Sequence, residues 1–121
     1  MSNFESTGSP DQTIPAGAES PSSIEYIVNS KDPNIDLTDV LSAVFRVRHG
    51  NGQLEDLSAD IDLGTQTTTY LKLTRLLDSD DFPEPDVVTF FPLLTFTGGR
   101  KVAAPSRTIQ VQSRFTFRGD L

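Results

Sequence analysis

Apolar residues recur at every second position through most of this chain, the period of a strand with one buried face. The clearest run places Val88, Phe90, Pro92, Leu94 and Phe96 on one side, with Ile109 and Val111 together on a returning strand. Between the two runs stand Gly98 and Gly99, which supply the positive φ angles that a two-residue hairpin turn requires. Upstream, Ile24, Tyr26 and Val28 predict a strand over 23–28. Leu41, Ala43, Phe45 and Val47 alternate with Ser42, Arg46 and Arg48, which predicts a half-buried strand with a wet face. Leu57, Ala59, Ile61 and Leu63 predict another over 54–63, and the β-branched, aromatic stretch 67–73 a further one. The pattern breaks over 74–81, and Pro83 and Pro85 bar a central strand through 82–86. Polar turns fall at 29–34, 49–53 and 64–66. The chain thus carries about six or seven short strands and no long helix, the signature of an all-β sandwich.

Residues 1–22 break this rhythm. Ser, Gly, Pro, Thr and Glu dominate them, and only Phe4 and Ile14 are bulky and apolar. Such a stretch buries too little surface to offset the entropy of ordering it. It is expected to be an extended, flexible arm that docks on neighbouring subunits, with Phe4 and Ile14 as its anchors. Residues 23–121 form the sandwich domain, and 121 residues suffice for one core.

The net charge of −7 disfavours nucleic acid and anionic membrane surfaces as partners. The absence of cysteine excludes disulfides, thiolate metal sites and cysteine nucleophiles. The start lacks the basic-then-apolar pattern of a secretory leader, and no apolar run approaches the roughly 20 residues of a spanning helix.

Ile35-Asp36-Leu37-Thr38 leads into a strand ending Phe45-Arg46-Val47-Arg48, followed by Gly50-Asn51-Gly52. Then come Tyr70-Leu71-Lys72-Leu73-Thr74, an acidic stretch, Leu94-Thr95-Phe96-Thr97-Gly98-Gly99-Arg100, and Ile109-Gln110-Val111. This succession, spanning 24–112, resembles the immunoglobulin-like domains of tailed-phage structural proteins, and most of all the amino-terminal domain of the upper-baseplate protein family. Asp39 stands where that family usually has Gly, and Gly98 where it often has Asp. The resemblance implies an immunoglobulin-like antiparallel β-sandwich. It also implies a non-enzymatic virion part, multicopy or homo-oligomeric among other virion proteins. A capsid decoration or cement protein, binding the head through its arm and sheet edges, is the first placement. A tail, baseplate or head-tail adaptor component is the alternative.

The residues that could carry chemistry are few. His49 is the sole histidine and stands in a glycine-rich turn, where side chains mostly face water. Asp78, Asp80, Asp81, Glu84 and Asp86 could offer oxygen to calcium, but the run lacks the spacing of a calcium loop, so no metal or other cofactor is expected. Asp60 and Asp62 share strand parity as a glycosidase pair does, without other signs of a sugar cleft. Arg118-Gly119-Asp120 spells an adhesion tripeptide, read here as chance. With no nucleophile–base pair, no enzyme is expected. Arg46, Arg48 and Lys72 are expected to form a positive stripe toward an acidic neighbour protein, with Phe115 and Phe117 as further contacts. The alternative from another class is a carbohydrate- or ligand-binding β-sandwich module.

Overall fold

The computed structural model describes residues 4–6 and 12–112. Nine strands follow in order: β1 (Phe4–Ser6), β2 (Gln12–Pro15), β3 (Ser23–Ser30), β4 (Val40–Arg48), β5 (Leu54–Ile61), β6 (Tyr70–Leu76), β7 (Asp86–Phe96), β8 (Lys101–Ala103) and β9 (Arg107–Gln112). A single 3-10 turn, Leu37–Asp39, precedes β4 and is capped by Asp36, whose carboxylate accepts from the Thr38 amide. The fold is all-β and of immunoglobulin-like sandwich type. One sheet holds β1, β3 and β6, and the other holds β4, β7, β9 and β2, with β8 beside β7. β5 belongs to both: residues 54–59 pair with β4, then Asp60 and Ile61 pair with β6.

Phe45, Phe90 and Tyr26 meet edge to face between the sheets, with ring centroids 5.3 and 6.2 Å apart. The Tyr26 hydroxyl stays satisfied by donating to the Pro105 carbonyl at 2.5 Å. Every inward residue expected on β7, from Val88 to Phe96, is buried, as are Ile109 and Val111.

Several local expectations are corrected. The Gly98-Gly99 turn joins β7 to short β8, not directly to β9, and its loop is closed by Phe96 and Arg100, whose backbone groups bond at 2.7 Å. Both glycines have φ near +90°. Leu41 points to solvent at 66% exposure, because the β4–β7 register slips between Val40 and Ser42. The bulge reverses parity there, so Val40 takes the inward place. Leu63 is also exposed, lying past the end of β5. β6 begins at Tyr70 and runs through Leu76, where a break was expected.

The arm is corrected too. Residues 12–15 run parallel to β9, the one parallel pairing among the described strands, and Ala16 N donates to Gln112 O at 2.7 Å. Ile14 is buried at 5% exposure in the chain's own core, so it is not open to a partner. Composition misjudges this stretch because main-chain hydrogen bonds to an open strand edge need no apolar side chains. Phe4 lies in β1, opposite Ser30 of β3.

Candidate functional site

The turn between β4 and β5 and the loop between β6 and β7 meet at one end of the sandwich. The turn is closed by His49 N to Gln53 O at 2.9 Å and Gly52 N to His49 O at 2.8 Å, with Gly52 at φ +90°. Asp86, the first residue of β7, accepts the Gly50 amide on both carboxylate oxygens at 3.1 Å. A side chain on Gly50 would collide with that carboxylate. His49 lies between two acids: Nε2 is 3.0 Å from Glu55 Oε1 and Nδ1 is 3.5 Å from Asp86 Oδ2. Its ring tilts against Phe82 at 6.2 Å and its side chain is 17% exposed. The expectation of a solvated histidine is therefore corrected. Turn composition shows that the backbone reverses, not that another loop covers it.

Next to Phe82 in the chain, Asp81 accepts a fork from Arg75 with bonds of 2.9 and 2.8 Å. Asp81 also accepts the Asp78 amide at 3.0 Å, and Arg75 reaches Ser58 O and Oγ at 3.2 Å. The hydrogen bond to Asp81 raises the guanidinium's pKa above its ordinary value. No sequence pattern marks this pair: it joins the end of β6 to a loop whose path the apolar period does not describe.

An open cleft of about 480 Å³ is lined by His49, Asn51, Gln53 and residues 80–86. The lining has no hydroxyl or thiol nucleophile for His49 to activate. The acids of 78–86 do not converge: Asp81 turns to Arg75, Asp86 to Gly50, and Asp78 accepts the Asp80 amide. Among the described residues no three His, Asp or Glu side chains are placed to hold a metal. Asp62 accepts the Gly64 amide in a turn beyond β5, while Asp60 is exposed on the strand.

The expected positive stripe is divided between the sheets. Arg46 and Arg48 lie on β4, where Arg46 forks onto Asp56 at 2.9 and 3.0 Å. Lys72 lies on β6 in the other sheet, 3.7 Å from Glu25. Phe115, Phe117 and the tripeptide 118–120 lie outside the described residues.

No protein-family model and no curated protein matches the chain. Among solved structures, CopC from Methylosinus trichosporium OB3b is 10% identical, with a TM-score of 0.48 over 91% of each chain. A chain from a structure of T cell specificity and activation by the bacterial superantigen toxic shock syndrome toxin-1 is 11% identical. It has a TM-score of 0.47 over 90% of this chain and 98% of that one. The collagen-binding subdomain ACE19 of the Enterococcus faecalis surface protein ACE reaches 12% identity and 0.24 over 93% and 97%.

Proposed function

We propose that this chain is a non-enzymatic structural protein of a tailed-phage virion, placed first as a head decoration or cement protein. The reading rests on the sequence resemblance over 24–112 and is supported by the immunoglobulin-like sandwich. One observation supports the non-enzymatic part: the histidine and the buried arginine–carboxylate pair of the cleft end are engaged with their own chain. His49 faces Glu55 and Asp86, and Arg75 holds Asp81 and Ser58. The large apolar residues most exposed among the described ones are Leu41, Leu54, Leu63, Leu76 and Val87. These are aliphatic, suited to protein contact, whereas sugar-binding modules offer aromatic platforms; the carbohydrate alternative gains nothing from them.

The test is immunogold labelling of particles from the chain's source with antibodies raised against the purified protein. Regular label on heads supports decoration. Label on the tail or at the neck moves the chain to the alternative placement, and unlabelled particles defeat the virion reading.

A further inference from the structure

The outward face of the larger sheet is built in rows. Across β5, β4 and β7 run the rows Leu54–Arg48–Thr89, Asp56–Arg46–Phe91 and Ser58–Val44–Leu93. β8 extends the face with Ala103 beside Leu93 and Lys101 beside Thr95. Its centre is apolar, since Val44, Phe91 and Leu93 are only part-covered by their neighbours. Leu54 and Val87 are 64% and 57% exposed near one end. Arg46, Arg48 and Lys101 surround this centre against two carboxylates of β5: Asp56, which is already bonded to Arg46, and Asp60 near the strand's end. An apolar middle with a charged rim is the anatomy of a protein-binding patch. Its sign is the reverse of the chain's net −7.

The sign inverts at the adjoining end of the sandwich. The cleft beside His49 presents Asp80 and Glu84, both exposed, next to Phe82, Pro83 and Pro85. Two copies docked face to face would oppose Arg48 and Lys101 to like charges, which costs binding energy. One face set against another copy's acidic end pairs opposite charges and covers the apolar centre.

We propose that this sheet face is an interaction surface whose occupant is the acidic end of a second copy. Arg48 and Lys101 of one copy meet Asp80 and Glu84 of the next. The proposed contact is heterologous: each copy uses its face on one neighbour and its end on another, so the array grows head to tail into a ring or filament, whereas reciprocal pairing across a two-fold axis would stop at a dimer. This stands on the charge distribution and does not depend on the virion reading.

Two double variants of the full chain test it: Arg48→Gln with Lys101→Gln on the face, and Asp80→Asn with Glu84→Gln at the end. Thermal melts matching the parent chain confirm that each folds. In sedimentation velocity from micromolar to millimolar concentration, the parent chain should associate beyond a dimer. Each variant should associate at least about tenfold more weakly, the loss expected for charged pairs at a contact. An equimolar mixture of the two should form a 1:1 complex that grows no further, because only one intact contact remains. A parent chain that stays monomeric or stops at a dimer overturns the proposal, as does association that survives either variant. Titrations with polyglutamate and with an oligothymidylate separate the remaining occupants. A monomeric parent that binds either one through Arg48 and Lys101 assigns the face to a foreign acidic protein or to nucleic acid instead.

Discussion

Arg75–Asp81 and Arg46–Asp56 are the same chemical object in two settings. Each is a guanidinium fork on a carboxylate, with bonds between 2.8 and 3.0 Å. At the loop end the two side chains are 17% and 7% exposed, and on the open sheet face 41% and 44%. Water can replace either partner on the face, so that pair orders little. At the loop end each partner has further bonds, to Ser58 and to the Asp78 amide, so the pair fastens the 78–85 loop to β6. Identical chemistry therefore differs in weight through its surroundings: removal of one partner is costly only where the other is left without water.

The contrast can be broken most severely at Phe82, which is 2% exposed, follows Asp81 in the chain and lies against the His49 ring. Phe82→Ala should cost about 3–5 kcal/mol in urea melts. A loss below about 1 kcal/mol would show that the loop end is not packed as described. Next is Asp81→Asn, which leaves Arg75 half-enclosed without its counter-charge and should cost about 3 kcal/mol. Equal losses for Asp81→Asn and Asp56→Asn would erase the distinction between the two settings. His49→Ala removes contacts to Glu55, Asp86 and Phe82, and should cost about 1 kcal/mol, read as a lower denaturant midpoint with unchanged slope. A melt indistinguishable from the parent would return His49 to a solvated bystander.

The smallest effect belongs to the open face. Asp56→Asn should change stability by less than about 1 kcal/mol. The Arg46 hydrogen bond holds the Asp56 carboxyl below its ordinary value of 3.8. Because the folded value is the lower one, the stabilisation is complete above 3.8 and fades as pH falls through the folded value. Carboxyl chemical shifts followed by NMR should place the Asp56 midpoint under 3.8, and Arg46→Ala should return it toward that value. A midpoint that ignores Arg46 would mean the fork is not populated in solution.

Legibility followed the same division between regular strand and irregular loop. From Val88 to Phe96 the period reports burial faithfully, because β7 is a regular strand with neighbours on both sides and one face on the core. The same period misreads Leu41, where a bulge changes parity. It also overstates the burial of Leu63, because β5 crosses from one sheet to the other and ends at Ile61. Of the candidate site, only the turn at 49–53 was legible, from its glycines. The arginine fork and the two acids around His49 were not.

By itself the sequence determined the strand class, the inward residues of the regular strands and the positive-φ turn at Gly98 and Gly99, all consequences of local stereochemistry and a period of two. Tertiary structure alone decided the rest. It laid residues 12–15 against β9, divided Arg46 and Arg48 from Lys72, and set Asp86 under Gly50, 36 positions away in the chain. Such pairings depend on which open edge or unsatisfied amide the folded backbone leaves within reach, a property of the whole path and not of any window along it.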